Sequence, residues 1–128
     1  MKNRSVVAPS LLVGIGIGAV AVQTLHAQGN PPIYTVTEID VSNVEAFTKE
    51  FSPLAQASVK SSGGRLLAAG QKVTALEGDP PKPRVVIQVW DSLEAVRKWR
   101  DGAEYKKARE VGDKYAKFRS FAIEGVPQ

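Results

Sequence analysis

The chain has 128 residues, with 17 Lys and Arg against 13 Asp and Glu, one histidine and no cysteine. The lack of cysteine removes disulfides, thiolate zinc sites and Cys–His catalysis. The formal net charge is +4, and the +2 left once residues 1–27 are removed is too small to point to a nucleic acid or an anionic membrane as partner.

The chain opens on a basic segment, Met1 to Ser5, with Lys2 and Arg4. Val6 to Val22 is apolar or small and carries no charge, and Ala27 offers a small residue for cleavage. This order describes a secretory signal peptide over residues 1–27, and it predicts export to the periplasm or the medium. The alternative is an uncleaved membrane anchor. A spanning helix needs about 20 apolar residues, and this run falls short and is interrupted by Pro9. Gly14-Ile15-Gly16-Ile17-Gly18 has dinucleotide-like spacing, but no strand precedes it and it lies within the signal.

Cleavage would remove Lys2, Arg4 and the only histidine, His26. The mature chain would then hold 15 bases and 13 acids, a net +2, and no imidazole. Ser–His–Asp triads and histidine metal ligands are thereby excluded. The composition predicts no metal, no redox cofactor, no nucleic-acid partner and no stable membrane anchor once the signal is gone.

Residues 28–32 read as a flexible leader, and residues 33–126 as one domain with a modest core. Ile33 to Val41, IYTVTEIDV, is rich in β-branched residues and predicts a strand. Ser42-Asn43-Val44-Glu45 has capping-box spacing, with Ser42 as the cap, and opens a helix. Val44, Phe47, Phe51, Leu54 and Ser58 form its stripe, and Pro53 must bend or restart it. Gly63-Gly64 ends that helix by backbone geometry. Arg65 to Ala69 is a short second strand. Residues 71–83 hold three prolines and read as a loop or loose hairpin. Arg84 to Trp90, RVVIQVW, is apolar on both faces apart from Gln88 and predicts a central third strand. Cap chemistry at Asp91-Ser92 starts a helix that reaches Trp99 and turns at Asp101-Gly102. A second helical piece runs from Ala103 to about Tyr115, with Tyr105, Ala108 and Val111 inward. Phe118 to Glu124 is the fourth strand.

Strand, helix, strand, strand, helix, strand is the split arrangement of an α+β, ferredoxin-like βαββαβ sandwich, a four-stranded antiparallel sheet with helices on one face. The uncovered face would carry valines of the third strand and a phenylalanine of the fourth. An apolar face of that size marks an interface and predicts a homodimer with two sheets face to face.

Tyr34, Gly63-Gly64-Arg65, Glu77-Gly78, Arg84-Val85-Val86, Trp99 and Glu104-Tyr105, in this order and spacing, resemble the domain of unknown function 1330 family over about residues 33–126. The resemblance implies a dimeric α/β barrel of ferredoxin-like subunits, in a superfamily that includes small monooxygenases and isomerases. It implies no particular reaction. Relatives often carry a histidine before the paired glycines; this chain has Ser62 there.

The candidate chemistry is sparse. Glu38 is a carboxylate inside an apolar strand and is the weak candidate for proton transfer; the competing reading is a rim residue paired with an arginine. Tyr34, Trp90, Trp99 and Tyr105 could floor a pocket for a flat apolar ligand, or could be core with each polar tip partnered. Arg65, Arg84 and Arg109 could bind a carboxylate or phosphate through the guanidinium fork, or form surface ion pairs. Three functions follow: an exported homodimer binding a small, partly apolar or anionic molecule; a cofactor-independent monooxygenase- or isomerase-like enzyme; and a structural or stress-related interaction protein without a ligand.

Overall fold

The computed structural model describes residues 31–127, so the expected signal, residues 1–27, lies outside the described residues. Pro32–Gly125 form one compact unit, and everything below concerns that unit. Its elements are β1 (Ile33–Val41), α1 (Val44–Ala46), a π-helical turn (Phe47–Phe51), α2 (Ser52–Ser61), β2 (Arg65–Gly70), β3 (Arg84–Trp90), α3 (Leu93–Asp101), α4 (Ala103–Gly112) and β4 (Ala116–Glu124). The sheet order is β2-β3-β1-β4, with every neighbouring pair antiparallel.

Register sorts the side chains into two faces, because paired residues share a face. On the helix-covered face run the rows Ile33–Trp90, Thr35–Gln88–Ala122, Thr37–Val86–Ser120 and Ile39–Arg84–Phe118. On the open face run Tyr34–Val89–Ile123, Val36–Ile87–Phe121 and Glu38–Val85–Arg119. The two upper rows of that face are almost wholly apolar, and no helix among the described residues covers them.

The helices bury two clusters against the sheet. One is Ile33, Val59, Trp90, Val96, Trp99 and Tyr105; the other is Ile39, Phe47, Phe51 and Ala108, with Phe118 packed against it. Residues 71–83 form no strand, and the loop reading holds.

Three local expectations change. The first helix is capped by Asn43, whose side chain accepts from the Ala46 amide at 3.0 Å. Ser42 instead donates to the Tyr115 carbonyl at 2.9 Å, so the helix starts one residue later than the Ser42 box implied. The predicted stripe also shifts. Proline has no amide to donate, and the chain meets Pro53 by widening the preceding turn and beginning a fresh helix with Pro53 in its first turn. The extra residue rotates the later positions. Leu54, after that turn, is therefore 41% exposed; Val44, in the first turn of the helix, is 48% exposed, while Phe47, Phe51, Ser58 and Val59 are buried. The last helix is also shorter than predicted, ending at Gly112, and β4 begins at Ala116.

The paired glycines have separate jobs. Gly63 has φ +91°, a left-handed conformation that suits glycine at a helix end. Gly64 lies under the indole of Trp90: a Cβ there would stand 2.7 Å from Trp90 Cη2.

Candidate functional site

The large aromatics predicted as a pocket floor are packed together. The Trp90 and Trp99 rings lie 4.8 Å apart, and Trp99 and Tyr105 4.2 Å apart. Each indole has its partner. Trp90 Nε1 donates to Thr35 Oγ1 at 3.1 Å, and that hydroxyl donates to Gln88 Oε1 at 2.9 Å. Trp99 Nε1 donates to Ser58 Oγ at 3.0 Å, and Ser58 donates to the Ala55 carbonyl at 2.7 Å. Tyr34 lies on the other face of the sheet, in the row with Val89.

Glu38 and Trp90 also occupy opposite faces. Glu38 Oε2 accepts from Arg119 Nη1 at 2.8 Å, and Oε1 accepts the Lys82 amide at 3.1 Å. Both carboxylate oxygens are thus engaged away from the indoles, and Glu38 does not line the cleft that Arg65 lines.

Arg109 is similarly occupied. Its Nε and Nη2 donate to Asp113 Oδ1 at 3.1 and 2.9 Å, and its Nη1 donates to Tyr105 Oη at 3.2 Å. Its guanidinium carbon stands 4.0 Å from the Phe118 ring centroid. Burial pulls the Arg109 pKa down, but the hydrogen bonds and charges of Tyr105 and Asp113 outweigh it, and the net shift is upward. Arg109, Arg100 and Trp99 line a cleft of about 290 Å³ between α3, α4 and the β1–β4 side of the sheet. Thr37 and Ser120 meet at 3.0 Å on its floor.

A larger cleft, about 430 Å³, opens between α2 and the β2–β3 edge of the sheet. It exists because β2 carries little over its helix-side residues: Leu66 is 47% exposed. The floor is apolar, with Ile39, Phe47, Phe51, Val59 and Val86. Ser52, Gln56 and Lys60 stand one turn apart along the α2 wall, and Arg65 and Arg84 line the strand side. Among the described residues no Asp or Glu lines it. Arg84 shares its row with Ile39 and Phe118, and its guanidinium carbon lies 5.2 Å from the Phe47 centroid. Among the described residues, Arg84 Nε is the one buried side-chain polar atom without a hydrogen-bond partner.

Of the residues singled out in the sequence, the structure therefore brings Trp90, Trp99 and Tyr105 together in the core. It sets Arg65 at the larger cleft, with Arg84, and Trp99 and Arg109 at the smaller one. Glu38 and Tyr34 lie on the open face. Sequence reasoning missed Ser52, Gln56 and Lys60. Their spacing of four on a helix, beside the buried stripe, is the signal that could have found them.

The βαββαβ order with helices on one face of an antiparallel sheet defines a ferredoxin-like α+β protein, and a solved neighbour is described as having a ferredoxin-like fold. The family model described as Domain of unknown function (DUF1330) matches residues 32–126, and the chain belongs to that family. No curated protein matches the sequence. Among solved structures, the chain is similar to a protein of unknown function from Rhodopseudomonas palustris, with a TM-score of 0.63 at 15% identity, over 84% of this chain and 94% of that one. It is similar to SnoaB, a cofactor-independent oxygenase from Streptomyces nogalater, with a TM-score of 0.58 at 13% identity, over 77% and 96%. A dimeric protein of unknown function and ferredoxin-like fold from Bacteroides fragilis has a TM-score of 0.51 at 12% identity, over 73% and 95%. At such identities the likeness concerns the fold.

Proposed function

We propose that the protein is an exported homodimer that binds a small, partly apolar or anionic molecule in the cleft beneath α2. The observation that carries this reading is the cleft itself. Its volume of about 430 Å³ lies within the range of small-molecule sites, about 300–1,000 Å³. Its apolar floor and cationic wall, with no acid among the lining residues, suit a ligand with one greasy and one negative part.

Pairing is supported by the open face. Phe121 and Ile123 are 45% and 59% exposed there, beside Val36 and Ile87. The Bacteroides fragilis neighbour with this fold is dimeric. Export rests on the basic, apolar and small-residue order of residues 1–27. Among the described residues no helix is long and apolar enough to cross a membrane.

A cofactor-independent oxygenase or isomerase is the second reading, and the likeness to SnoaB favours it. That reading needs Glu38 or a tyrosine to handle a proton, and no Asp, Glu or Tyr is among the described residues that line the cleft. Glu38, the carboxylate it would use, lies across the sheet, held by Arg119 and the Lys82 amide. A structural or stress-related protein without a ligand is the third.

Native mass spectrometry on protein taken from the exported fraction of its own cells tests the proposal. Two copies starting near Gln28, carrying an added small mass that an organic extraction releases, are expected. A bare monomer retaining residues 1–27 would sink all three parts.

A further inference from the structure

We infer that the ligand of this cleft is an apolar monocarboxylic acid, with its carboxylate on Arg84 and its tail over Phe47, Phe51 and Val59. This inference rests on the binding reading above.

Three cations line the cleft, Lys60, Arg65 and Arg84, and none of them forms an ion pair among the described residues. The three ion pairs that do form lie elsewhere, at Lys49–Glu45, Arg109–Asp113 and Arg119–Glu38. Arg84 differs from the other two cations in being half-buried, its base set among Ile39, Phe47 and Val86. A buried guanidinium donor without an acceptor carries the desolvation cost of a lost hydrogen bond, so native structures rarely leave one unused. An acceptor from outside the chain would meet that need.

The shape of the need selects the acceptor. A guanidinium presents paired donors in a flat fork, and a carboxylate matches it with two parallel hydrogen bonds. A phosphate monoester carries up to two charges, and drawing it against an apolar floor costs more desolvation. The floor offers phenyl rings and methyl groups, and the other polar residues of the lining are Ser52, Gln56, Gln88, Lys60 and Arg65. That leaves room for an aliphatic or aromatic tail and little to recognise a sugar.

The test uses the full chain and a neutral naphthylamine dye whose fluorescence rises in apolar sites. Decanoate and decanol, which share a tail and differ in the headgroup, then compete for it. Decanoate is expected to displace the dye at a concentration at least about tenfold lower, the ratio set by one charge-assisted hydrogen-bonded contact. Arg84→Met should keep dye binding and abolish the preference, and Arg84→Lys should restore only part of it, since it returns the charge without the fork. Ala55→Trp, which fills the cleft, should abolish dye binding. Equal displacement by acid and alcohol, or a preference that survives in both Arg84→Met and Arg84→Gln, overturns the assignment to Arg84 while the binding reading stands. Dye binding that is absent from the wild type, or unchanged in Ala55→Trp, overturns the cleft reading and the inference together.

Discussion

Arg109 and Arg84 flank one aromatic cluster and are handled in opposite ways. Both stand over a phenylalanine, Arg109 over Phe118 and Arg84 over Phe47. Phe118 and Arg84 even share a row of the sheet, on either side of Ile39. Arg109 has Asp113 and Tyr105 for every side of its fork. Arg84 has none, and its Nε is shut away from water. The same residue type against the same kind of ring is thus structural in one place and available in the other. What separates them is the acceptor inventory. The residue that caps the end of α4, Asp113, supplies an acid four residues after Arg109, whereas the α2 wall of the cleft that Arg84 lines supplies Ser52, Gln56 and Lys60.

The largest expected effect probes the neighbouring tryptophan cluster, where every polar tip has a partner. Trp90 is 2% exposed, stacks near Trp99 and closes over Gly64. Trp90→Ala should lower unfolding stability by about 3–5 kcal/mol, as for a large aromatic removed from a core. Chemical denaturation measures it. A loss below about 1 kcal/mol, the scale of an exposed substitution, would mean that the indole is not structural, and the contrast between the two sides of the helix layer would fail.

The arginines themselves come next. Arg109→Met should cost about 1–2 kcal/mol, because it removes charge-assisted hydrogen bonds from a half-buried group. Arg84→Met should leave stability unchanged or raise it. It gives up a cation–ring contact worth about 0.5–1 kcal/mol but also removes a buried donor whose neglect costs about 1–3 kcal/mol. Parallel urea titrations decide between them. Equal losses in the two variants would show that Arg84 is a structural residue after all.

Much of this arrangement was legible in the sequence, for reasons that particular residues make clear. β1 and β3 fall on the predicted ranges because IYTVTEIDV and RVVIQVW are dense in β-branched side chains between turn-forming neighbours. The strand–helix order alone defined the fold. The helix stripe was misjudged at Leu54 because a single widened turn ahead of Pro53 rotates everything after it, and no propensity encodes that turn. The site was less legible. Trp90, Trp99, Tyr105 and Arg109 stand out in the sequence by size or charge, yet each is satisfied inside the fold. The cleft arises from how much of β2 the helix α2 leaves uncovered, which is a tertiary quantity. Arg84 was visible as one arginine among three, and only its lack of an acceptor sets it apart.

The smallest effect tests the far end of the same helix layer, where a polar pair is fully made. Tyr115 Oη donates to Glu50 Oε1 at 2.9 Å and so ties the entry of β4 to the π-helical turn. The hydrogen bond to Glu50, with some desolvation and the carboxylate's charge, raises the Tyr115 pKa above its ordinary value of about 10. The phenol must keep its proton to donate, so the folded state holds that proton more tightly than the unfolded one. The pair's contribution to stability is then complete below about pH 10 and is lost as pH rises through the higher folded value. Ultraviolet titration of the tyrosines should show one group ionising late, and Glu50→Gln should return it towards the ordinary range. Tyr115→Phe should remove the late group, and its stability deficit relative to wild type should shrink to nothing at the alkaline end. A variant with no deficit at any pH would assign Tyr115 to the packing of its ring against the Phe47 and Phe51 cluster, which phenylalanine keeps, and the π-helical turn would owe its position to that cluster alone.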